Sequence, residues 1–406
     1  MYPSVSIGKV ILCSDGDSRD VNQWSNIPFL LGIELERRGI DLIHVNLQVP
    51  WLVRRLWRYS LGPRHKLRHW HTSVDFYRSH ANHWLTTWRL NQAVRCHGAA
   101  DTILINLSIS SAPTRSTIPV VLLSDWSYHH YITERLGRQP DRAEQATIVR
   151  DNAAMARASV VVLLFPESAA RLQRQIPNGR FRFLGHVINN HPLAPPPPEQ
   201  PPAAMPHSPW RLLFVGRPRY REGLELLLQA LQLLPADLPV QLDVIGISPQ
   251  DLAAPSELKP SVRLHGYLSK ADSPQRQTYY ALLNQADLVI NASSRWGGVS
   301  ATVEAMHRRT AVLTAPYAEF QAIFGSTIPF GAYLGELSTT AVAAAILAQL
   351  QDPALLAEHQ QAAYEAVRRF SWESFVDRLL AEVETLPSTP PSASSSPSLA
   401  IPEAIH

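Results

Sequence analysis

Proline divides this chain sharply near its middle. Nine of the twenty residues from 191 to 210 are proline, in the segment HPLAPPPPEQPPAAMPHSPW. Helices and strands do not propagate through such a density of proline, because each one removes a backbone donor and restricts the residue before it. The sequence therefore predicts two folded bodies, residues 1–190 and 211–386, joined by a linker over residues 191–210.

The last twenty residues are also biased in composition. Residues 387–406 are rich in proline and serine and offer little apolar surface to bury, so they predict a disordered tail. Over the whole chain, 45% of the residues are hydrophobic and 17% are charged. That balance indicates a globular protein rather than a fibrous or mainly disordered one.

The cysteines and the N-terminus indicate the cellular compartment of the protein. Two cysteines, Cys13 and Cys96, are too few for a disulfide framework and lack the spacing of a structural zinc site. The N-terminus lacks the basic start and apolar core of a signal peptide, and no apolar run reaches the length of a membrane span. We therefore expect a cytoplasmic protein without a spanning segment.

Both bodies alternate short β-branched runs with amphipathic segments, which is typical of strand–helix–strand units around a parallel sheet. Strands are predicted at residues 10–13, 41–45, 102–107, 120–123 and 160–165, and again at 212–215, 241–245, 262–264, 288–290 and 311–314. Two such doubly wound domains enclose a cleft. Because ligands bind beyond the carboxyl ends of parallel strands, the site is expected in the loops that follow them.

A strongly basic segment lies within the first body. Residues 51–97 hold nine basic residues and one acidic residue, a charge of +8 in a chain of net +3, and five of the ten tryptophans. Arginine mixed with tryptophan suits the interface of an anionic membrane. It is equally consistent with a surface helix pair that buries the tryptophans and solvates the arginines. A nucleic-acid surface is the third interpretation, and we expect no nucleic-acid partner.

The second body opens with the segment RLLFVGRPRYREGLELLLQAL, a buried strand followed by a short basic loop and an amphipathic helix. Gly216 allows the backbone to turn tightly after the strand. Arg217 can grip a diphosphate bidentately at any pH, and Arg219 and Arg221 add positive charge. This pattern predicts an anion site at the strand end.

A second glycine motif precedes another helix of the same body. Gly297 and Gly298 open a helix predicted at 300–307, so its amide donors lie at the positive end of the helix dipole. Val299 and Ser300 continue this turn. Glu304 lies on the same helix.

In order and spacing these segments, with 264–267 and 286–293, resemble the C-terminal half of retaining, family-4-type glycosyltransferases of the GT-B fold, the group 1 glycosyl transferases. The resemblance covers nearly all of the second body, as far as residues 370–375. In the first body, residues 24–29, 118–126, 156–162 and 185–189 resemble the other half more loosely. The resemblance implies two Rossmann-like domains that face each other across a deep cleft.

The resemblance also implies roles for particular residues. Arg217 is expected to bind the donor diphosphate and Glu304 the ribose hydroxyls, with Asp125 and Arg217 in the catalytic role. The remaining donor-side residues are expected to be Arg219, Arg221, Tyr267, Leu268, Trp296, Gly297, Gly298, Val299 and Ser300. The acceptor-side residues are expected to be Trp24, Ser25 and Asn26.

Three positions depart from the family pattern. Trp296 stands eight residues before Glu304, where the family has its first glutamate, and we interpret it as an aromatic wall of the cleft. Glu222 stands where a phosphate-binding lysine is usual, so Arg219 or Arg221 is expected to supply the charge. Asp125 stands where a histidine is common and is expected to take over its contact with the sugar.

Several other polar residues are expected to be structural. The aspartates near the N-terminus lack the glycine and the distal glutamate of a calcium loop, so no metal site is predicted. The histidines of the first body are expected to be solvated, hydrogen-bonded or in a turn. These residues are Asp15, Asp17, Asp20, His129, His130 and His186.

The expected function is metal-independent hexosyl transfer, with retention, from a nucleotide-sugar to a glycan, a lipid-linked acceptor or a small molecule. No cofactor is expected, and the base of the donor is left open. Such an enzyme would serve glycan or cell-envelope synthesis, with contact to the inner membrane face through residues 51–97. Two alternatives stay open: a nucleotide-sugar epimerase on the same fold, and a non-catalytic relative that binds a nucleotide or a partner.

Overall fold

The computed structural model describes residues 7–61, 76–204, 208–252, 261–293 and 298–386. Within these ranges twelve strands form two six-stranded sheets. The strands are β1 (Lys9–Ser14), β2 (Asp41–Asn46), β3 (Thr102–Asn106), β4 (Val120–Ser124), β5 (Val160–Leu163), β6 (Phe181–Phe183), β7 (Trp210–Val215), β8 (Val240–Ile245), β9 (Val262–Gly266), β10 (Leu288–Asn291), β11 (Ala311–Thr314) and β12 (Gly331–Tyr333).

Helices connect the strands in both sheets. The α-helices are α1 (Ile27–Arg37), α2 (Trp51–Leu56), α3 (His80–His97), α4 (Tyr128–His130), α5 (Arg142–Arg157), α6 (Pro166–Gln175), α7 (Arg221–Gln232), α8 (Ser273–Gln285), α9 (Val299–Met306), α10 (Ala318–Phe324), α11 (Thr339–Leu350), α12 (Pro353–Val367) and α13 (Trp372–Glu384). Two π-helical segments, Trp57–Leu61 and Tyr131–Arg135, continue α2 and α4. Short 3-10 turns occupy Trp24–Asn26, Phe76–Arg78, Pro202–Ala204, Pro218–Tyr220 and Pro249–Asp251.

The first sheet has the order β2-β1-β3-β4-β5-β6, and all of its pairings are parallel. Its central strands are continuous apolar runs because helices cover both faces, so alternation of polar and apolar residues is not required. The second sheet has the order β12-β11-β10-β7-β8-β9 and is also parallel. The predicted α/β class with two doubly wound sheets is confirmed.

Two edge strands were missing from the sequence prediction. β6 and β12 have three residues each, which is too short for a hydrophobic period to be recognised. Helix α5 is predicted by the sequence only at residues 151–156, in its C-terminal half. It begins at Arg142 after a capping box in which Asp141 and Glu144 satisfy each other's backbone donors, and its polar first half hides the apolar stripe.

The last helix returns to the first sheet. Trp372, Phe375 and Leu379 of α13 are buried in the N-terminal core, where α13 packs against α1. Arg38, just after α1, donates to the Asp377 carboxylate at 2.6 Å. The proline linker groups residues up to 386 with the second body in sequence order, whereas this apolar face of α13 is covered by the first body.

The proline-rich segment lies along the C-terminal domain. Among its described residues, 191–204 and 208–210, the only helical element is the turn at Pro202–Ala204, and strand β7 begins at Trp210, in keeping with the proline content. Arg309 Nε donates to the Pro198 carbonyl at 2.7 Å, and the fully buried Arg308 donates to that of Pro195. The segment is thus held by hydrogen bonds to the end of α9. The predicted tail, 387–406, lies outside the described residues.

In the described part of the chain no single helix is long and apolar enough to cross a membrane. The helical stretches Thr339–Leu350 and Pro353–Glu384 pass such a test only as a pair that is bent by 96°. Val342, Ile346 and Leu356 of this pair are buried in the core around the second sheet. Their apolar character is therefore accounted for by packing within the protein.

Candidate active site

A cavity of about 650 Å³ lies between the two domains. Its C-terminal wall is formed where β7, β8 and β9 end, and its N-terminal wall by residues 22–26 at the start of α1. The residues that line it are Asn22, Trp24, Ser25, Asn26, Val215, Gly216, Arg217, Pro218, Arg219, Tyr220, Ile245, Gly246, Tyr267, Leu268, Lys270, Tyr279, Gly298, Ser300, Ala301 and Glu304. The cavity thus lies at the carboxyl ends of these strands, where the sequence predicts a site.

The turn after β7 forms the floor of this cavity. Gly246, which directly follows the neighbouring strand β8, packs against this turn. It has a φ of +95°, and a Cβ added there would lie 2.3 Å from the carbonyl oxygen of Gly216 in the turn, so only glycine fits this close approach. The turn places the Arg217 side chain at the cavity. Its guanidinium lies 4.1 Å from the centre of the Tyr267 ring, a cation–π contact that orients it.

The first residues of α7 point elsewhere. Arg221 is paired with Glu225 at 3.3 Å and donates to the carbonyl of Asp251, and it does not line the cavity. Glu222 is exposed and also lies off the cavity wall. Of the predicted basic residues, the structure therefore brings Arg217 and Arg219 to the cleft and leaves Arg221 outside it.

Helix α9 points its N-terminus into the cavity. Gly298 precedes the helix and Ser300 lies in its first turn, and both line the cavity. Val299 between them is buried in the core of the domain and does not line the cavity. Trp296 and Gly297, which the sequence analysis placed here, lie outside the described residues.

Glu304 is held by two groups that the sequence analysis did not identify. Its Oε2 accepts from the Lys270 ammonium at 2.6 Å and from the Tyr279 hydroxyl at 2.9 Å. The Lys270 and Glu304 side chains are 11% and 4% exposed, so this is a buried ion pair. The described residues give Oε1 no hydrogen bond, and Glu304 lines the cavity. Lys270 follows Tyr267 in the loop after β9, so the strand-end rule was the signal that could have found it.

The residues expected on the acceptor side occupy a strained turn. Trp24, Ser25 and Asn26 have φ values of 33°, 55° and 68°, three consecutive left-handed residues without a glycine. Such conformations cost about 1–3 kcal/mol each and persist where the surrounding structure fixes them, often at binding sites. Asn26 then precedes α1, which begins with Ile27 and Pro28.

Asn22 joins the two walls of the cleft. Its Oδ1 accepts from the Tyr267 hydroxyl at 3.2 Å and from the Ser269 hydroxyl at 2.8 Å. These contacts run between the domains over more than 240 residues of sequence. They fix the strained turn opposite Arg217.

A second cavity, of about 350 Å³, adjoins the first in the N-terminal domain. It is lined by Asp15, Arg78 and Asp125, and Trp24 lines both cavities. Asp125 Oδ1 accepts from the Trp126 backbone N–H at 2.8 Å. Burial raises the pKa of Asp125, and the hydrogen bonds from Trp126 and Trp24 only partly oppose that shift.

The histidines near this cavity have structural partners. His130 stacks on Trp126 with ring centres 4.2 Å apart, and burial lowers its pKa to about 4. His129 lies 3.3 Å from the Gln175 amide. Burial among phenylalanine rings lowers the pKa of His186 to about 4. These side chains are therefore accounted for by packing and hydrogen bonding.

No metal site is evident in the described ranges, where no group of three or more histidine, cysteine, aspartate or glutamate side chains converges. Asp17 pairs with Arg19 at 3.0 Å. Asp20 accepts from the backbone N–H of Asn22 at 2.9 Å. Asp17 and Asp20 thus stabilise their own loop, whereas Asp15 lines the second cavity.

The second domain matches a known family. Residues 209–352 match the family model described as Glycosyl transferases group 1. This range contains the whole second sheet and every C-terminal residue of the larger cavity. No curated protein matches the chain.

Solved structures match over almost the whole chain. Sucrose-phosphate synthase from Thermosynechococcus elongatus is 18% identical with a TM-score of 0.59, covering 91% of this chain and 97% of its own. WaaG, a glycosyltransferase involved in lipopolysaccharide biosynthesis, is 14% identical with a TM-score of 0.60, covering 92% and 99%. HepE from Anabaena, solved with UDP, is 14% identical with a TM-score of 0.55, covering 93% and 100%. The fold is therefore GT-B, and the family match supports the group 1 glycosyltransferase superfamily.

Proposed function

We propose that this chain is a retaining glycosyltransferase that moves a hexose from a nucleotide-sugar to an acceptor hydroxyl. The observation that carries the proposal is the convergence in one cleft of a guanidinium, a helix N-terminus and a held carboxylate. Arg217, the start of α9 at Gly298 and the side chain of Glu304 all line the same cavity. The superfamily match over this domain agrees with it.

The donor is proposed to bind along the C-terminal wall. Arg217 donates to the diphosphate, whose oxygens can approach the backbone closely at Gly216 and Gly298. Glu304 Oε1 accepts from the ribose hydroxyls, while Oε2 stays with Lys270. HepE was solved with UDP, so uridine diphosphate sugars are the first donors to test.

The chemical step breaks the bond between the anomeric carbon and the diphosphate oxygen. A new bond forms from the acceptor oxygen on the same face of the sugar, and the acceptor proton passes to the departing diphosphate. Negative charge develops on that leaving group. Arg217 and the start of α9 line the same cavity, so we propose that they stabilise this charge without reorganisation. We propose that these groups make a metal ion unnecessary for that role.

The acceptor is proposed to enter through the second cavity. Trp24 lines both cavities, so a group bound beside Asp125 lies next to the donor site. Asp125 is proposed to contact the hydroxyls of the transferred sugar. Asp15 and Arg78 on the same wall offer an acceptor and a donor of hydrogen bonds, which suits a polyhydroxylated acceptor.

The first experiment is thermal stabilisation by UDP, GDP and ADP and their common sugar conjugates. A nucleotide at 100 times its Kd adds about 2.7 kcal/mol of stability, or roughly 5–10 °C for a domain of this size. The shift is expected for one base, and it should be lost in Arg217→Ala. Arg221→Ala is the matched control, because it removes an arginine of the same loop that lies outside the cavity. Equal shifts in both variants would refute the assignment of Arg217.

Product analysis then separates the activities. Transfer predicts a glycoside with the anomeric configuration of the donor, lost in Arg217→Ala and in Glu304→Ala. Conversion of the donor alone to another nucleotide-sugar would indicate an epimerase. Nucleotide binding without turnover, for all donors and acceptors tried, would indicate a non-catalytic relative.

A further inference from the structure

Exposed apolar side chains are concentrated on one part of the N-terminal domain. Of the fifteen large hydrophobic side chains exposed in the described residues, eight lie between residues 51 and 88. We call them, with Arg55 and Arg58, the α2–α3 surface. The eight are Trp51, Leu52, Val53, Leu56, Tyr59, Tyr77, Trp84 and Trp88. Soluble monomers rarely gather so many, and a contiguous apolar patch marks an interaction site.

The exposure of the tryptophans decides between two interpretations of the sequence. Trp51, Trp84 and Trp88 are 57%, 65% and 50% exposed. A helix pair that simply buries its tryptophans does not account for these three. Trp84 and Trp88 are four residues apart on α3, so they share one face of that helix.

The cationic groups lie among the aromatic rings. The guanidinium of Arg55 is 5.8 Å from the centre of the Trp51 ring and 5.9 Å from that of Tyr59. Neither residues 51–61 nor residues 76–97 contain an aspartate or a glutamate. The α2–α3 surface therefore presents positive charge and apolar area together, with no carboxylate from its own elements.

Hydrogen bonds and ring contacts join the parts of this surface. Arg89 Nη1 donates at 2.7 Å to the carbonyl of Gln48, just before α2, and this holds α3 beside the start of α2. The Trp57 and Phe76 rings pack edge to face with centres 5.5 Å apart. Trp88, next to Arg89 in sequence, is thereby held near the chain that leads into α2.

The same elements border the second cavity. Arg78, next to the exposed Tyr77, lines that cavity. His83 Nδ1 lies 3.0 Å from the carbonyl of Ser110, another lining residue, and Trp84 follows directly. A surface that held the α2–α3 residues would therefore lie at the edge of the proposed acceptor site.

We propose that the α2–α3 surface docks on an anionic phospholipid bilayer and that the acceptor is anchored in that bilayer. The second half of this statement rests on the proposed transferase function, and the first half does not. Indole rings favour the headgroup level, aliphatic Leu52 and Leu56 favour the acyl boundary, and the arginines attract anionic headgroups. A nucleic acid would use the arginines and rings but would gain nothing from the leucines.

Flotation of the full chain with vesicles tests the docking without any turnover. Vesicles of phosphatidylcholine alone are compared with vesicles that contain 30% phosphatidylglycerol, at low and high salt. Binding is expected for the anionic vesicles and should weaken with salt. Arg55→Gln/Arg58→Gln should lower the partition coefficient about 30-fold, and Trp51→Ser/Leu56→Ser at least about tenfold.

Matched variants control for charge and apolar area elsewhere. Arg174→Gln/Arg368→Gln removes two arginines with side chains 68% and 50% exposed, and Leu193→Ser/Leu233→Ser removes two leucines 72% and 52% exposed. Both should float as the wild type does. Stabilisation by nucleotide should be the same in all four variants, which separates this test from the test of the donor site.

Each contrary result overturns the proposal. Absence of flotation with anionic vesicles does so, and so does equal flotation of the surface and control variants. If the tryptophan–leucine variant changes a dimer to a monomer without vesicles, the occupant is a second copy of the chain. If the wild type instead binds a single-stranded oligonucleotide, and only the arginine variant loses that binding, the occupant is a nucleic acid.

Discussion

Replacement of Lys270 by methionine is the sharpest test of how the cleft is built. The Lys270 ammonium lies 2.6 Å from Glu304 Oε2, and it also donates to the carbonyl of Asn189 at 3.0 Å. It lies 4.7 Å from the centre of the Tyr279 ring. Methionine keeps the length of the side chain and removes its charge, so the carboxylate of Glu304 is left buried without a counter-ion.

The expected loss of stability follows from burial of the pair. Removing one partner of a buried ion pair costs about 3–5 kcal/mol, because the other charge stays desolvated. Tyr279 still donates to Glu304 at 2.9 Å, so we expect the lower end, about 3 kcal/mol. The double variant Lys270→Met/Glu304→Gln has no unpaired charge. It should be less destabilised than the sum of the single variants by more than about 1 kcal/mol.

Thermal unfolding without nucleotide measures these differences. A loss of 3 kcal/mol lowers the Tm of a domain of 150–250 residues by about 6–12 °C. Lys9→Met is the control, because its ammonium lies 3.8 Å from Asp41 with side chains 34% and 68% exposed, and such pairs contribute about 1 kcal/mol or less. If Lys270→Met is no more destabilised than Lys9→Met, or if the double variant loses the full sum, the buried-pair argument fails.

Two further predictions follow from burial and from backbone geometry. Burial raises the pKa of Asp151 to about 7, with Arg78 opposing only in part, so the folded chain holds this proton more tightly than the unfolded chain, where the pKa is near 4. The stability that this bound proton contributes is complete below about pH 4 and is lost as the pH rises to 7. Across that window the wild type should therefore lose a few kcal/mol of stability relative to Asp151→Asn. A difference in stability between the two proteins that does not change with pH would contradict this. Gly246→Ala should abolish stabilisation of the protein by nucleotide, because the added Cβ would lie 2.3 Å from the Gly216 carbonyl oxygen. Gly266→Ala is the control: Gly266 has a φ of +63° and open space around it, so this change should cost only about 1–2 kcal/mol of stability and keep nucleotide binding. Equal melting shifts with nucleotide for both variants would count against the close approach.

Part of the site was predictable because it depends on local geometry. Tight turns after β-branched runs identified the ends of β7 and β9 and the start of α9, and in a parallel sheet these ends meet on one edge. The resemblance to group 1 glycosyl transferases, rather than local geometry, is what assigned Arg217, Tyr267 and Glu304 to one site, and all three line one cavity. Whether they bind a nucleotide-sugar stays a prediction.

Side-chain direction was beyond this kind of reasoning. Arg219 precedes α7 and faces the cleft, but Arg221 is the first residue of the helix and turns away. The helix packs through Gly223, where an added Cβ would lie 2.7 Å from the Ser293 hydroxyl, and this contact fixes its rotation. The contact between Gly223 and Ser293, seventy residues apart in sequence, therefore decides which arginine reaches the cavity, and a local sequence pattern does not predict it.

The pairing of Lys270 with Glu304 was hidden for the same reason. The two residues are 34 apart in sequence and are brought together by the packing of α8 and α9. The family pattern has its lysine at position 222, just before Gly223 of α7, where this chain has a glutamate. The cleft instead has its amine in the loop after β9, where Lys270 is paired with the Glu304 carboxylate.

The contacts between the domains are apolar near the C-terminal end of α1 and polar near its N-terminal end. At its C-terminal end, Leu35 lies in an apolar core with Phe375 and Leu379 of α13, and water cannot replace that packing. At its N-terminal end, the contacts of Asn22 to the other wall are two hydrogen bonds, which water can replace at little net cost. Loss of the two Asn22 contacts therefore costs far less than separation at α13, although Arg135 and the buried His130–Glu319 pair also join the two domains on the cleft side. The apolar packing of α13 is the contact that solvent cannot replace.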